Sequence, residues 1–394
     1  MVKDVVIVAP LRTAIGNFQG ALSSLTATEL GALVINGAIE RAGLDKNLVD
    51  EVIMGNVVPI GLGQNPGRQA MIKAGLPMAG GAITVNKVCG SGLKAVMLAE
   101  QAIKAGDAEI IVAGGMESMS NIPYYMPGAR GGLRMGNGQL VDCMVHDGLW
   151  DVVNDYHMGY TAELVSKKFS VTREAMDQYS IDSNAKALAA IENNLFADEI
   201  LPVMIAQRKG DPYAFVTDEG PRATTLEALA KLRPAFDRNG IVTAGNASKI
   251  SDGASCMLVM SAAKASELKL QPLARIVAQG AAGVPLEDVL VAPINSIPKV
   301  LQKAGLAIND IDLHEINEAF ATSSVAIIKA LGIDPARVNV NGGAVALGHP
   351  IGCSGARVLT TLIYALRRRQ KRYGMASLCL GGAEAVSMVI ENLA

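Results

Sequence analysis

Apolar positions along the chain follow two patterns, one typical of buried strands and one typical of helices. Continuous apolar runs predict strands that are buried on both faces, at 4–9, 49–58 and 108–113. Apolar residues that recur at helical spacing predict helices at 25–42, 65–74 and 92–104. Strands that alternate with helices imply right-handed crossovers and a largely parallel sheet. The pattern therefore predicts an α/β fold.

The second half of the chain repeats the pattern of the first. The matching segments are Ala38–Leu44 with Val300–Leu306, Ile83–Asn86 with Val338–Asn341, Ser91-Gly92 with Ser354-Gly355, and Ala108–Gly115 with Ala376–Gly382. Two related halves in the same order predict two packed sheets about a pseudo-twofold axis. Helices that begin near Gly92 and Ser354 would lie at the centre.

The composition changes between the two halves, where prolines and glycines indicate a long ordered segment outside the core. Two helical patterns, at 158–169 and 173–193, lie inside it, and strand character returns at 254–260. We therefore expect a loop domain at 119–249, inserted into an N-terminal half that comprises 1–118 and 250–270. The C-terminal half would span 271–394.

Composition and charge limit the possible partners and the compartment. The 394 residues are 50% hydrophobic and 18% charged, with a net charge of −2 that does not indicate nucleic acid. The basic run Arg367–Arg372 closes a predicted helix, where the dipole favours solvated cations, although a phosphate or nucleic-acid site is the alternative. Five cysteines without a CxxC pair, no signal-peptide cleavage region and no membrane-length apolar run predict a cytoplasmic, soluble protein.

Cys89 stands in a turn, Asn86–Gly92, between a predicted strand and a predicted helix. The unpaired amides and the dipole at a helix start favour a thiolate, so we expect the pKa of Cys89 to lie below the usual value of about 8.5. Gly90 and Gly92 would allow a sharp turn and a close approach of substrate. Cys89 is thus a candidate nucleophile; a small buried hydrophobic residue is the alternative.

Three stretches of the second half carry further candidate chemistry. His349, in Gly348–Gly352, is a natural base for a cysteine, or else a structural histidine. Cys379 ends a buried strand, and the flexible backbone after it could supply amides to an oxyanion; alone, Cys379 is more typical of a core residue. Asn317 follows another strand, where it could cap a helix or hold a water.

Together these motifs resemble the four active-site loops of the thiolases, most closely those that act on acetyl-CoA. The loops are Val88–Gly92, Asn317–Phe320, Gly348–Gly352 and Cys379–Gly382. The likeness extends over essentially the whole chain, including Arg12–Gly16 and Lys231–Phe236. It implies a five-layer α-β-α-β-α sandwich of two duplicated halves with an inserted loop domain.

The resemblance assigns roles to the candidate catalytic residues. Cys89 would attack the thioester and hold the acyl group, and His349 would take the thiol proton. Cys379 would remove a proton from the α-carbon of the second acyl-CoA. His349, with a water held by Asn317, would stabilise the enolate, and the amides of Cys89 and Gly381 would hold the oxyanion.

It also assigns the coenzyme A and acyl contacts. Arg222, in Asp218–Arg222, would lie near the adenine, with a solvated surface charge as the alternative, and Ser248 would meet the pantetheine. The acyl and pantetheine pocket would be lined by His157, Met158, Phe236, Phe320 and Val289. The chain departs from the family pattern at several positions: Val289 replaces a methionine, Lys249 replaces a small residue, and Ala383, Glu384 and Ala385 follow Gly382.

The implied activity is a reversible Claisen condensation of two acetyl-CoA to acetoacetyl-CoA and CoA. We expect no metal and no tightly bound cofactor, because coenzyme A is part of the substrate. Thiolases assemble as dimers or tetramers, and Pro123–Asp142 resembles their tetramerisation loop, so we expect a homotetramer or a homodimer. The alternatives are a degradative 3-ketoacyl-CoA thiolase of longer chain length and a catalytically silent scaffold that binds CoA esters.

Overall fold

The computed structural model describes residues 3–393. The strands that precede the loop domain are β1 (Val5–Thr13), β2 (Gly16–Asn17), β3 (Glu51–Gly55), β4 (Gly81–Val85) and β5 (Ile110–Ser118). Short strands follow, namely β6 (Tyr124–Tyr125), β7 (Val141–Asp142), β8 (Trp150–Asp151), β9 (Tyr156–His157), β10 (Ile200–Leu201), β11 (Val203–Ile205) and β12 (Tyr213–Phe215). The remaining strands are long, apart from β15: β13 (Ser251–Ser261), β14 (Ala274–Gly283), β15 (Leu313–Ile316), β16 (Tyr373–Leu380) and β17 (Glu384–Asn392).

The α-helices alternate with the long strands and populate the segment between β5 and β13. They are α1 (Ala27–Ala42), α2 (Pro66–Lys73), α3 (Ser91–Ala105), α4 (Cys143–Gly148), α5 (Met158–Phe169), α6 (Arg173–Glu192), α7 (Leu226–Ala230), α8 (Ala262–Glu267), α9 (Pro293–Ala304), α10 (Ala321–Leu331), α11 (Ala344–Leu347) and α12 (Ile351–Arg368). Local signals set their ends: Thr26 and Glu29 form a capping box at α1, and Gly43 closes that helix in the left-handed region. No helix in residues 3–393 is long and apolar enough to cross a membrane.

The strands of the two halves form a path that is symmetric about its middle. Its order is β15-β16-β17-β14-β1-β13-β5-β3-β4. In the first half, β3 pairs parallel with β5, and β5 pairs antiparallel with β13. In the second half, β15 pairs parallel with β16, and β16 pairs antiparallel with β17. Only two register pairs, Val6 with Arg275 and Ile7 with Ala274, join β1 to β14. The duplication predicted from the sequence is therefore confirmed, with the two sheets joined by a short ladder. The expectation of a largely parallel sheet is wrong, because β13, β14 and β17 return beside their neighbours and form antiparallel ladders.

Alternate residues of the central strands face different apolar cores, which gives five layers. Val5 and Ile7 of β1 pack in the core that contains α3 and α12, whereas Val6 and Val8 pack in the core that contains α1 and α2. A third core packs α9 and α10 on the outer face of the second sheet. The layers are therefore α1/α2, sheet, α3/α12, sheet and α9/α10, as predicted.

The two central helices touch at the Ser-Gly pairs of the repeat. A Cβ at Gly92 would lie 2.7 Å from the Ala356 nitrogen, and one at Gly355 would lie 2.3 Å from the Leu93 nitrogen. Only glycine fits this crossing, so Gly92 serves helix packing and not the turn before α3. The sharp turn is made by Val88, whose φ is 45°, whereas Gly90 has an ordinary φ of −88°. The turn predicted at the glycines is wrong in this detail.

Two other segments differ from the predicted pattern. The strand predicted at 108–113 runs on through two glycines to Ser118. Val338–Asn341, the echo of β4, forms a single bridge between Val338 and His314 instead of a strand. The Ile316 amide donates to the side-chain oxygen of Asn339 at 2.9 Å, and Asn339 Nδ2 donates to the Ile316 carbonyl at 2.8 Å, so a side chain replaces the ladder there.

The segment between β5 and β13 is anchored to the first sheet by a buried ion-pair cluster. Arg12 of β1 lies 2.6 Å from the Glu199 carboxylate and 2.7 Å from the Asp218 carboxylate, and all three side chains are buried. The Ile15 amide also donates to Asp218 at 2.7 Å. This cluster positions the stretch that ends at Arg222. The division of the chain into the three domains stays a prediction.

Candidate active site

A cavity of about 610 Å³ brings together side chains from both halves and from the segment between β5 and β13. Eleven of the twelve predicted site residues line it: Cys89, His157, Met158, Arg222, Ser248, Phe236, Val289, Phe320, His349, Cys379 and Gly381. Asn317, the twelfth, does not line the cavity. It is buried with its Nδ2 atom 3.4 Å from His349 Nε2. In the part of the chain that the structure describes, no group of three or more His, Cys, Asp or Glu side chains could hold a metal ion.

Cys89 lies two residues before α3 in a loop that Ser91 holds in shape. The Ser91 hydroxyl donates to the Val88 carbonyl at 2.6 Å and accepts from the Lys87 amide at 2.8 Å. Burial raises the pKa of Cys89 to about 11, although the Gly381 amide directed at it acts in the opposite sense. The expected low pKa is wrong, because removing the thiolate from water costs more than the amides return. Cys89 is therefore a thiol near neutral pH and needs a base.

His349 lies between α11 and α12 with its tautomer fixed by Ser354. The Ser354 hydroxyl donates to the Pro350 carbonyl at 2.9 Å, and its oxygen lies 2.6 Å from His349 Nδ1. A hydroxyl that donates to Pro350 can only accept from Nδ1, and the Asn317 Nδ2 donor beside Nε2 favours the same tautomer, so we assign the proton to Nδ1. Burial, helped by the charge of Arg357, lowers the pKa of His349 to about 3. His349 is therefore a neutral imidazole whose unprotonated Nε2 is available as a base.

Cys379 and Gly381 end β16 and begin the turn into β17. Burial, together with the neighbouring Cys89 thiol, raises the pKa of the Cys379 thiol well above its ordinary value. The turn passes through Gly382 and Ala383, whose φ angles of 80° and 64° lie in the left-handed region. Ala383 adopts that conformation at a cost of about 1 kcal/mol relative to glycine. The turn directs the Gly381 amide at Cys89, so the two thiols share one small site.

Glu117 fixes the start of α12, a role that the sequence did not reveal. Its buried carboxylate accepts from the amides of Val57 at 2.9 Å, Val58 at 3.2 Å and Gly352 at 2.8 Å. Burial raises the pKa of Glu117 to about 7, against the effect of those amides. The signal in the sequence was an acid placed shortly after the Gly114-Gly115 pair that follows the predicted strand. Through Gly352, the first sheet holds the helix that follows His349.

Glu318, next to Asn317, is a second buried carboxylate that supports the site. It accepts from the Tyr179 hydroxyl at 2.9 Å, the Ser183 hydroxyl at 2.8 Å and the Val345 amide at 3.0 Å. These bonds connect α6 with α11, the helix that leads to His349. The motif Asn317–Phe320 marked the position without revealing this role.

Aromatic and charged side chains form the outer wall of the cavity. The rings of His157 and Phe236 stack with centroids 4.7 Å apart, and Phe320 meets Phe236 edge to face at 6.1 Å. Arg222 is exposed, so both interpretations of it agree with its position at the cavity mouth. Lys249 is half-buried nearby, and its ammonium donates to the carbonyls of Gly220 and, at 2.8 Å, Ala346. An apolar cavity with cations at its wall suits a long ligand that carries phosphates.

Comparison with known proteins agrees with this geometry. An acetyl-CoA acetyltransferase of Pseudomonas aeruginosa is 57% identical over 389 residues, which are 98% of this chain and 99% of that protein. One from Escherichia coli is 53% identical over 99% of this chain and 100% of its own length. The crystal structure of the Bacillus anthracis acetyl-CoA acetyltransferase matches with a TM-score of 0.97 and 43% identity, over 100% of this chain and 99% of that one.

Two domain families account for nearly the whole chain. The thiolase N-terminal domain matches residues 5–263, and the thiolase C-terminal domain matches residues 270–392. The layered architecture and the cavity between the halves lie within these matches. The chain belongs to the thiolase family.

Proposed function

We propose that this chain catalyses the reversible condensation of two acetyl-CoA to acetoacetyl-CoA and CoA. The observation that carries the proposal is the convergence of Cys89, Cys379 and the unprotonated Nε2 of His349 on one cavity. Two thiols and one neutral base suit a reaction that needs a nucleophile and a second, separate base. The relatives named above as acetyl-CoA acetyltransferases support acetyl-CoA as the substrate.

The first half-reaction transfers an acetyl group to Cys89. His349 Nε2 takes the thiol proton as the sulfur attacks the thioester carbonyl, and the amides of Cys89 and Gly381 hold the oxyanion. The C–S bond to coenzyme A then breaks, and the departing thiolate takes the proton of Cys379. The step leaves acetyl-Cys89, an imidazolium at His349 and a thiolate at Cys379.

The second half-reaction uses the groups that the first one charged. The Cys379 thiolate removes a proton from the α-carbon of a second acetyl-CoA, and the His349 imidazolium, with a water held by Asn317, stabilises the enolate. The enolate carbon attacks acetyl-Cys89, and the departing Cys89 sulfur recovers its proton from His349. All three groups return to their starting protonation states, so the raised thiol pKa values are compatible with turnover.

Chain length is set in this proposal by the wall around Val289, which is buried and lines the cavity. Valine in place of the family's methionine leaves room for about one or two methylenes, each worth about 0.8 kcal/mol when buried. We therefore propose highest activity on the four-carbon ketoacyl-CoA, with lower activity on five and six carbons.

Assembly and compartment are also part of the proposal. The β6–β7 hairpin and the loop between its strands expose apolar side chains, with Tyr124 61%, Leu133 55%, Met135 100% and Leu140 67% accessible. Such a patch on a single chain suits self-association, here into a homotetramer. Five free cysteines suit the reducing cytoplasm. No tightly bound cofactor is expected.

A thiol-release assay with acetoacetyl-CoA and CoA tests the function. We expect thiolysis to acetyl-CoA, and condensation of acetyl-CoA when the product is removed. Cleavage of eight- to sixteen-carbon substrates faster than acetoacetyl-CoA would favour the degradative alternative. Binding of acetyl-CoA without turnover in either direction would favour the silent scaffold.

A further inference from the structure

Lys249 joins three segments of the cavity wall, and the proposed reaction does not use its amine. Its Nζ donates to the carbonyls of Ala346 and Gly220, and its own carbonyl accepts from the His349 amide at 3.0 Å. A Cβ at Gly220 would lie 2.3 Å from the Ala346 oxygen, so these segments are in close contact. Lys249 therefore lies between the stretch that carries Arg222 and the loop that carries His349.

Among the described residues 3–393, the two hydrogen bonds leave one position on Nζ without a partner. That position holds the third proton of an ammonium or the lone pair of an amine. Burial, with the charge of Arg222, lowers the pKa of Lys249 to about 8. The other titratable groups that line the cavity are Glu219, His157, His349, Cys89 and Cys379. A nucleophilic amine is thus held in place in the cavity that would hold a thioester.

We propose that Lys249 is a self-acylation site that takes an acyl group from a thioester in this cavity. The inference rests on the proposed function, because a thioester must be bound there. The amine nitrogen attacks the thioester carbonyl, the C–N bond forms, the C–S bond breaks, and the amine proton passes to the departing thiolate. The donor is a thioester in both of its sources, acyl-CoA and acyl-Cys89.

Acylation would weaken the cavity wall. An amide nitrogen is uncharged and keeps a single N–H, so only one of the Gly220 and Ala346 carbonyls stays bonded to Lys249. Either the loop that carries His349 loses its contact at Ala346 in α11, or the stretch that carries Arg222 loses its contact at Gly220. Turnover should fall as Lys249 becomes acylated, so the modification would inhibit the enzyme in response to acyl-CoA.

The test is quantitative mass spectrometry after incubation with acetyl-CoA at pH 8, with and without desulfo-CoA as an inert competitor. Lys94 is the internal reference, since burial also lowers its pKa but it does not line the cavity. We expect Lys249 to be acetylated at least about tenfold faster than Lys94, because proximity raises the effective concentration of the thioester. Desulfo-CoA should suppress the reaction. Cys89→Ala separates the sources: modification that persists comes from acetyl-CoA, and modification that disappears comes from acyl-Cys89.

The functional effect has its own measurement. After the same incubation and removal of acetyl-CoA, the wild-type protein should have lost activity in proportion to Lys249 modification. Lys249→Arg should keep its own starting activity, because a guanidinium is not acylated. Equal loss of activity in the wild type and in Lys249→Arg would contradict inhibition by acylation of Lys249.

Failure of this inference can be told apart from failure of the proposed function. Hydroxylamine releases an acetyl group from a cysteine thioester but not from a lysine amide. A labile acetyl group on Cys89, with Lys249 modified no faster than Lys94 or unaffected by desulfo-CoA, overturns the inference and leaves the proposed function standing. If neither residue is acetylated, both fall.

Discussion

His349 Nδ1 and Ser354 Oγ lie 2.6 Å apart, and Ser354 occupies the place in the second half that Ser91 occupies in the first. Both serines lie in the first turn of a central helix. Ser91 shapes the loop that carries Cys89, whereas Ser354 fixes the proton of His349. The duplication thus gave each half a serine that orders one member of the nucleophile–base pair.

Ser354→Ala should slow acetylation of Cys89 about tenfold, an effect of ~1.4 kcal/mol. Without the serine oxygen, the neutral imidazole can carry its proton on Nε2, where it cannot act as a base. Stopped-flow measurement of thioester formation, with kcat and KM taken separately, checks this, and the loss should appear in kcat. Ser180→Ala removes a buried serine hydroxyl in α6 and is the matched control. An unchanged acetylation rate would refute the role of Ser354.

Alkylation of Cys89 by iodoacetamide should keep rising between pH 7 and pH 9, about tenfold per unit, without a plateau. The thiolate fraction grows in this way for a thiol whose pKa is about 11. Cys89→Ala identifies the signal by removing it. A plateau near pH 7 would show a pre-formed thiolate and contradict the raised pKa of Cys89.

Glu318→Gln should destabilise the protein by about 1–3 kcal/mol and also lower kcat. The glutamine NH₂ group would meet the N–H of Val345 or the hydroxyl of Tyr179 with a donor in place of an acceptor. Urea unfolding and steady-state kinetics report the two effects. Glu174→Gln, at an exposed position in the first turn of α6, should change stability by a few tenths of a kcal/mol. Equal effects at the two positions would contradict the role given to Glu318.

Val289→Met should narrow the range of substrates. The longer side chain fills space for about one methylene, so activity on the five-carbon ketoacyl-CoA should fall about fourfold relative to acetoacetyl-CoA. Rates on a ketoacyl-CoA series measure the ratio. Val284→Met, near in sequence but outside the cavity wall, should leave it unchanged. If Val289→Met leaves the ratio unchanged, Val289 does not set the chain-length preference.

The two packed sheets and the central helices could be predicted because they follow from local apolar patterns and an internal repeat, whereas the five-layer order was implied by the resemblance to the thiolases. Strand β13 and helix α5 lie where their patterns indicated, and Gly92 and Gly355 meet because the repeat brings both helices to the same axis. The single bridge at Val338–Asn341 could not be predicted. The segment has the pattern of a strand, but the side chain of Asn339 makes the hydrogen bonds to Ile316 that a ladder would otherwise make.

The candidate residues could be found from their motifs, but their pKa values and hydrogen-bond partners could not be predicted. The pKa of Cys89 depends on how far the finished fold buries the sulfur, and a helix start alone suggests the opposite direction. Glu117 and Glu318 act through hydrogen bonds to residues that are distant in sequence, such as Gly352 and Val345. Such contacts are set by tertiary packing and leave no local pattern.

The central claim is that Cys89 accepts the acetyl group and that Cys379 is needed as a base only in the condensation step, whereas its part in acetylation, as a proton donor to the departing coenzyme A thiolate, can be taken over by a serine hydroxyl. Rapid-quench experiments with labelled acetyl-CoA, followed by peptide mapping, test it most directly. Wild type and Cys379→Ser should both carry one hydroxylamine-labile acetyl group on Cys89, with condensation lost in Cys379→Ser, while Cys89→Ala should carry none. A stable acetyl group on Cys379 with Cys89 free, or equal loss of acetylation in both variants, would contradict the account.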